Sequence, residues 1–515
     1  MGLFLGIDVS TQSVKGVVID TVSGRIAGEA SVSFGRDLPQ YSSPNGFIPN
    51  ADPLVKQADP MMWLDGLELM FKLLASSGTS LSEITGISGS GQQHGSIYLK
   101  GGIPALDSEK SLSGQLTPLL SRMSAPIWMD RSTSAECREL EAAFGDRMQR
   151  DTGSPAVERF TGPQIRKFAK DSPLAYSETK HIHLVSSFMC SVLIGGNAPV
   201  DYGDGAGMNL LNLKALKWDG EIVAFTAPNL LEKLPSAVPS NTVAGGLDKY
   251  FSKFGFRPGI PVVIWSGDNP NSLIGVGASD PGIACISLGT SDTFFAPMQR
   301  FTTDPEGCGH VFGNPAGGFM SLICFTNGSL ARERVRLMHD SSWDFFDSEA
   351  CRITAPFNDG RLILPYFEPE STPLVLSPGA RYNYDSTSAT PAQNIRAIME
   401  SQALSLRVHS KWQNSDVTRI RLTGGGSQSR GFRQILADVF QADIESIAVT
   451  NSAGLGAAMR AANAVESVPF ETLAGQFSAT EDRTAPNRSL KTGYDRMLEE
   501  YSRFEKSVTK SGNRD

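Results

Sequence analysis

Short apolar runs separated by turns of Gly, Ser and Thr open the chain and recur about halfway along it. The first copy is Leu3–Asp20 (LFLGIDVSTQSVKGVVID) and the second is Gly282–Met298 (GIACISLGTSDTFFAPM). An apolar run, a tight polar turn and a second apolar run together predict a β-hairpin. Two such turns facing one ligand would offer backbone N–H groups and hydroxyls to a polyphosphate from both sides. The repeat therefore predicts two similar halves and a phosphate-handling enzyme.

Strand-like and helix-like patterns alternate along the rest of the chain, which is typical of an α/β fold. The longest uncharged stretch is His181–Val200, in which apolar residues recur at helical spacing before Gly195-Gly196. This pattern predicts a buried helix rather than a membrane span. Farther on, Arg419–Ile444 has the pattern of a strand, a glycine turn and a helix.

A chain of 515 residues exceeds what one hydrophobic core usually supports, so we expect more than one domain. The Pro-Gly turn at positions 258 and 259 precedes a short β-branched strand, and we place the domain boundary there. The predicted domains are residues 1–258 and 259–490, followed by a C-terminal helix and polar tail at 491–515. We expect a catalytic cleft between the two domains.

Charge and composition exclude several classes of protein. The net charge is −8, from 46 basic and 54 acidic residues, and no block of like charges stands out, so we expect neither nucleic acid nor membrane as a partner. The six cysteines include no C-x-x-C pair, which favours reduced thiols. The first residues lack the pattern of a secretory signal peptide. We therefore expect a cytoplasmic protein that binds small molecules, with a homodimer left open.

The first hairpin turn carries a carboxylate at Asp8 and hydroxyls that include Thr11. Together they would suit a site for Mg²⁺ and phosphate. The alternative is that these side chains only hydrogen-bond the turn backbone, as Asx and Ser turns do. The second turn, with Gly289 and Thr290, favours the phosphate site because it repeats the pattern.

Gly424, Gly425 and Gly426 follow a predicted strand and precede a predicted helix. Backbone without side chains lets a ligand approach the helix N-terminus closely, and adenosine or phosphate would fit there. The alternative is that the glycines serve turn geometry alone.

A carboxylate at a strand end beside the expected hinge is suited to act as a catalytic base, and Asp268 in Gly267-Asp268-Asn269-Pro270 occupies such a position. The alternative is that Asp268 is the N-cap of a helix that begins near Pro270. Two further polar segments, around Gln93-His94 and Arg159, could supply hydrogen bonds to a polyol. A lone His or Arg is otherwise more often structural.

Taken together, these motifs resemble those of the FGGY carbohydrate kinases, in the actin-like ATPase superfamily. The resemblance spans nearly the whole chain and is strongest to the eukaryotic-type xylulokinase branch. It rests on RDLPQY, GSGQQHGS, PIWMDRST, ERFTG, LVSSF, DYGDGAGMNLL and GDNPNSL. It implies two actin-like ATPase (ribonuclease H-like) domains of α/β class around a catalytic cleft.

Carried over by position, the resemblance implies roles for individual residues. Asp268 would be the general base. The ketose would contact His94, Arg159, Asp268, Asn269 and, beside them, Gln93. ATP would be bound by Thr11, Gly289, Thr290, Trp343, Gly425, Gly426 and Ser429, with Asp8 at Mg²⁺. The chain departs from the branch at Gly426 and Ser429, where Ala and Asn are common.

The implied reaction is ATP-dependent phosphorylation of a ketopentose, with D-xylulose and its 5-hydroxyl as the expected substrate. Two alternatives stay open. One is a kinase of the same family for another polyol, such as ribulose or glycerol. The other is an actin-like ATPase that acts on a protein partner, against which GSGQQHGS and the GDN turn argue.

Overall fold

The computed structural model describes residues 2–352 and 356–512, with only the backbone described at 350–352, 356 and 510–512. The chain divides by its internal contacts into two compact units. The first comprises Met1–Ser279, Val311–Phe319 and Thr450–Ser478, and the second comprises Asp280–His310, Met320–Val449 and Ala479–Asp515.

This division differs from the domains predicted as 1–258, 259–490 and 491–515. The first unit continues to Ser279 because Val262 pairs with the sheet that holds the first hairpin. The first unit also includes residues 450–478, which come late in the chain. The segment 491–515 belongs to the second unit as a helix that runs to Gly512, and residues 513–515 of the predicted tail lie outside the described part.

In the N-terminal part of the chain the strands are β1 Leu3–Val9, β2 Ser13–Asp20, β3 Arg25–Ser33, β4 Gln57–Ala58, β5 Ile84–Gly91, β6 Ser96–Leu99, β7 Ala125–Pro126, β8 His181–Leu184, β9 Val200–Asp201, β10 Leu211–Asn212, β11 Lys217–Trp218, β12 Ala237–Val238, β13 Val243–Gly246, β14 Pro261–Val263 and β15 Ser266–Gly267. The helices there are α1 Phe34–Asp37, α2 Pro60–Ser76, α3 Leu112–Leu116, α4 Ser134–Phe144, α5 Asp146–Thr152, α6 Thr161–Asp171, α7 Pro173–Glu178, α8 Val185–Ile194, α9 Tyr202–Gly205, α10 Gly220–Thr226 and α11 Asp268–Gly275.

The C-terminal part continues with β16 Ile283–Leu288, β17 Asp292–Met298, β18 His310–Gly313, β19 Phe319–Phe325, β20 Ile363–Leu364, β21 Arg381–Tyr382, β22 Arg419–Thr423, β23 Asp443–Ile447 and β24 Thr480–Thr484. Its helices are α12 Ser329–Met338, α13 Trp343–Arg352, α14 Pro391–Ser410, α15 Arg430–Phe440, α16 Ser452–Glu466, α17 Phe470–Phe477 and α18 Lys491–Gly512.

Both units are built on a sheet with the same strand order and directions. In the first unit the order β3-β2-β1-β5-β14 combines an antiparallel meander with a parallel half. In the second unit β19-β17-β16-β22-β23 repeats it, since β16 is antiparallel to β17 and β22 is parallel to both β16 and β23. The predicted hairpins are β1–β2 and β16–β17. The α/β class with two related domains is confirmed.

Helix α16 packs closely on the sheet of the first unit because its sequence is rich in small residues. A Cβ atom on Gly6 would lie 1.9 Å from the carbonyl oxygen of Gly454, and one on Gly456 would lie 1.9 Å from that of Asn271. Neither distance is compatible with a side chain, so these glycines allow α16 to approach both β1 and α11.

The segment His181–Val200 is not one helix, as its spacing of apolar residues predicted. It begins as strand β8, which pairs antiparallel with β6, and becomes helix α8 only at Val185. Over the first four residues, backbone pairing with β6 determines the conformation, although the apolar residues are spaced as in a helix. Helix α8 ends at Gly195, whose φ of 63° is left-handed, as the glycine predicted.

Five cysteines are free thiols in the described structure, and Cys351 lies outside the described side chains. Among the described residues, no helix combines the length and the apolar character needed to span a membrane.

A buried histidine in the second unit lies between two carboxylates. Nε2 of His409 is 3.1 Å from Glu505, and Nδ1 is 3.4 Å from Glu306. Burial by itself lowers the pKa of the imidazole, but the hydrogen bonds and charges of both carboxylates outweigh it and raise the pKa to about 9. The imidazolium therefore links the end of α14 to α18.

Because the pKa of His409 is raised above the value of about 6.5 expected for the unfolded chain, its stabilisation is complete below that pH and is lost as the pH rises through about 9. We predict that His409→Gln lowers the melting temperature most at pH 6 and much less at pH 9.5. Thermal unfolding across this range measures the difference, with His339→Gln, which lacks the two carboxylates, as the control. A difference that does not change with pH would contradict this prediction.

Candidate active site

The carboxylate of Asp268 lies where strand β15 ends and helix α11 begins. Gly267 is the N-cap of α11 and Asp268 is its first residue, so the carboxylate does not cap the helix as the alternative proposed. Its Oδ1 accepts hydrogen bonds from the backbone N–H and the Nδ2 of Asn269, at 2.8 and 3.0 Å. The half-buried side chain thus keeps a defined orientation.

Asp8 is the second carboxylate of this region. It is buried near the end of β1, and its Oδ1 has no hydrogen-bond partner in the described structure. Burial raises the pKa of Asp8 to about 6, although the Ser90 hydroxyl and the charge of Lys15 partly offset this. Burial, followed by the negative charge of Asp8, raises the pKa of Asp268 to about 7. Asp268 is therefore a stronger base than an ordinary carboxylate.

A third carboxylate, Asp204, is fully buried and interacts with the charge of Asp268. Burial raises the pKa of Asp204 well above its usual value, and the charges of Asp201 and Asp268 add to this. Ser186 donates a hydrogen bond to its Oδ2. The motif DYGDGAG supplies this buried carboxyl group through the short helix α9.

Gln93 and His94 follow β5 in a tight turn. Oε1 of Gln93 accepts a hydrogen bond of 2.8 Å from Asn269, whereas its buried Nε2 has no partner in the described structure. Nδ1 of His94 is 2.8 Å from the carbonyl oxygen of Gly207. Since a carbonyl only accepts, Nδ1 carries the proton and Nε2 is an acceptor.

The imidazole of His94 is held by an aromatic stack. Its ring centroid is 4.2 Å from that of Phe160, and the guanidinium of Arg159 is 5.5 Å from the same phenyl ring. Burial, together with the charge of Arg159, lowers the pKa of His94 to about 3, so the ring is neutral. Five predicted sugar-site residues, His94, Arg159, Asp268, Asn269 and Gln93, all belong to the first unit.

Thr11 lies in the first hairpin turn, where its hydroxyl is engaged on both sides. Oγ1 accepts a hydrogen bond of 2.8 Å from the indole N–H of Trp128 and donates one of 3.3 Å to Gln92. Trp128 was not among the predicted site residues. Its position in PIWMDRST, one of the motifs that carry the resemblance, is the signal that could have identified it.

A cavity of about 550 Å³ lies in the second unit. It is lined by Leu288, Gly289, Thr290, Ser329, Arg332, Trp343, Asp344, Phe346, Asp347, Met399, Gly425, Gly426, Gln428, Ser429 and Phe432. All six residues predicted for the nucleotide in this half of the chain are among them. Gly424 has φ of 80°, and a Cβ there would lie 2.5 Å from the carbonyl oxygen of Leu288, so the turn needs glycine.

Charged side chains brace this cavity. Asp347 accepts hydrogen bonds from the Ser429 hydroxyl and from the N–H of Gly431 at the start of α15. Arg332 forms two hydrogen bonds to Asp292, at 2.8 and 3.1 Å. Asp347 was missed because it lies in a stretch without a motif, although it is one helical turn beyond Trp343.

The indole of Trp343 is half exposed, and the guanidinium of Arg336 lies 5.3 Å from its centroid. An exposed aromatic face beside a glycine turn offers a flat surface on which a purine can stack. No cluster of three or more His, Cys, Asp or Glu side chains suited to a metal occurs in the described part of the chain. A cation here would need oxygen ligands from the substrate as well as from the protein.

Comparisons with known proteins agree with this geometry. The sequence model of the FGGY family of carbohydrate kinases, N-terminal domain, matches residues 3–275, and that of the C-terminal domain matches residues 284–465. The chain therefore belongs to the FGGY family of carbohydrate kinases.

Among its relatives, the xylulose kinase of Mus musculus is 39% identical, with 99% of this chain and 95% of the relative covered. Xylulose kinase 2 of Arabidopsis thaliana is 38% identical, with 90% and 87% covered. The crystal structure of xylulose kinase from Rhodospirillum rubrum shares the fold with a TM-score of 0.85 at 19% identity, covering 99% of this chain and all of that one.

Proposed function

We propose that this kinase transfers the γ-phosphate of ATP to the 5-hydroxyl of D-xylulose. Relatives named xylulose kinases, similar over nearly the full chain, support the choice of sugar. The observation that carries the proposal is the carboxylate of Asp268. It has a raised pKa, and it stands beside the amides of Gln93 and Asn269, which suit a polyol.

In this proposal the first unit holds the sugar. Nε2 of neutral His94 accepts a hydrogen bond from a sugar hydroxyl, while Arg159 and Gln93 supply donors. Asn269 supplies the acceptor Oδ1, because both N–H groups of its amide already bond Gln93 and Asp268. Polyols need several directional hydrogen bonds of this kind. The unpartnered Nε2 of Gln93 is one buried donor that a sugar oxygen would satisfy.

Asp268 then acts as the general base. With a pKa near 7 it can accept the proton of the hydroxyl as the oxygen attacks phosphorus, and it is largely ionised at slightly alkaline pH. Ordinary carboxylates, with a pKa near 4, are weaker proton acceptors. Burial is the larger cause of this raised basicity, and the negative charge of Asp8 adds to it while no cation is bound there.

The second unit would hold the nucleotide. We place the base against Trp343 and the glycines Gly425 and Gly426, with Ser429 at the edge of the cavity. The turn at Gly289 and Thr290, like that at Thr11, would offer donors to the phosphates. The volume of the cavity, about 550 Å³, is in the range of small-molecule and cofactor sites.

Asp8 would hold Mg²⁺. The fit rests on Oδ1 of Asp8, a buried carboxylate oxygen without a hydrogen-bond partner in the described structure. Mg²⁺ prefers oxygen ligands of this kind. When bound, the cation would neutralise charge on the phosphates. Asp8 lies at the same end of strand β5 as the residue before Asp268.

We predict that the purified protein consumes ATP rapidly with D-xylulose and at least tenfold more slowly with D-ribulose, glycerol or D-xylose. The measurement is coupled ADP release against this panel at matched concentrations, with a no-sugar control. A clear preference for ribulose or glycerol would show that the preferred compound, and not D-xylulose, is the substrate. Rapid ATP hydrolysis without any sugar would favour an ATPase acting on a protein partner.

Replacing the proposed base should lower the rate of phosphate transfer while leaving ATP binding nearly unchanged. We predict that Asp268→Ala lowers kcat by at least about a hundredfold, the usual range for loss of a general base. ATP binding, measured by calorimetry, should remain within about threefold because the proposed ligands of the nucleotide, apart from Thr11 and Asp8, lie in the other unit. Asp280→Asn, an exposed carboxylate a few residues on, is the control. Near-normal turnover of Asp268→Ala would remove Asp268 from this role.

A further inference from the structure

The segment that leads into Asp268 is fixed by a buried amide. Nδ2 of Asn271 donates hydrogen bonds to the carbonyl oxygen of Gly267, at 2.9 Å, and to that of Gly89, at 3.2 Å. Asn271 is fully buried. It therefore ties the residue immediately before Asp268 to the central strand β5.

The orientation of this amide is set by a buried arginine on α16. NH1 of Arg460 donates a hydrogen bond of 3.0 Å to Oδ1 of Asn271. A guanidinium can only donate, so the oxygen of the amide must face Arg460 and the nitrogen must face the two carbonyls. Without the guanidinium, Oδ1 of Asn271 would lose its donor, and only the two carbonyl acceptors would hold the amide in this orientation.

Arg460 also holds the other end of the same segment. NH2 of Arg460 donates to the carbonyl oxygen of Ile264 at 2.8 Å and to that of Ser240 at 2.7 Å. The residues from Ile264 to Gly267 are thus fixed at both ends by one network. Asp268 is the next residue along the chain.

We propose that Arg460 and Asn271 act as one positioning device that holds the backbone before Asp268 in place for catalysis. The proposal rests on the proposed role of Asp268 as the base. Neither residue contacts the sugar in this account. They are positioning residues, supplied by a helix that returns to the first unit late in the chain.

Precise placement matters because a general base must lie within about 2.6–3.2 Å of the hydroxyl oxygen whose proton it accepts. A displacement of about 1 Å can cost about a hundredfold in rate. The alternative is that the pair only stabilises the packing of α11 on α16. That role would change the melting temperature while leaving the kcat of the folded enzyme unchanged.

Single and double variants test the proposal, because Arg460 and Asn271 depend on each other. We predict that Arg460→Met and Asn271→Leu each lower kcat for D-xylulose by about 30-fold or more, with KM for both substrates within about threefold. The double variant should be no slower than the slower single variant, because groups acting as one unit are not additive. Folding is checked by circular dichroism and thermal unfolding.

Arg396→Met is the matched control. Arg396 is a buried arginine of the second unit that bonds Glu400 and Tyr494, so its loss should destabilise the protein without changing kcat. Arg460→Lys, which keeps the charge but not the planar fork, should resemble Arg460→Met.

Two results would overturn the proposal: folded Asn271→Leu with kcat within about threefold of the parent, or a double variant whose loss equals the product of the single losses. If Arg460→Met does not fold, the kcat of Asn271→Leu decides alone. Asp268→Ala, assayed alongside, separates the two hypotheses. Activity retained in Asp268→Ala would refute the proposed base, whereas its loss together with normal Asn271→Leu would refute only the positioning device.

Discussion

The parallel pairing of β1 and β15 with the two sides of β5 is the constraint on which the candidate site depends. Asp8 pairs in register with Ser90, and Gly267 pairs with Gly91, so both carboxylates meet at one end of one strand. Strands two positions apart are about 9–10 Å from each other. At this spacing the charge of Asp8 still raises the pKa of Asp268.

Burial, together with that interaction, suits Asp268 to its proposed role as a base. Burial and the nearby charge of Asp8 raise the pKa of Asp268, and the cost of holding such groups together is met by surrounding structure. The Gln93–Asn269 hydrogen bond and the network of Arg460 and Asn271 keep the carboxylate in one place.

Local patterns predicted much of this molecule. The hairpins, the strand and glycine turn before α15, and the cavity residues Gly289, Thr290, Gly425 and Gly426 follow from sequence because turns and glycines act over a few residues. Trp343 and Ser429 came from the family resemblance. The predicted domain limits differ from the two compact units, and strand β8 and Asp347 were not predicted, since each depends on contacts with distant segments. Arg460 and Asn271 are 189 residues apart, and no local pattern connects them. The family resemblance supplied roles for individual residues, which geometry alone would have left open.

The central claim is that the carboxylate of Asp268 meets the hydroxyl that becomes phosphorylated. A crystal structure of the protein with D-xylulose and a non-hydrolysable ATP analogue tests it most directly. We expect an oxygen of Asp268 within about 3.2 Å of the 5-hydroxyl, the distance required of a general base. A sugar bound with that hydroxyl more than about 5 Å from Asp268, beyond the reach of one hydrogen bond, would contradict the account.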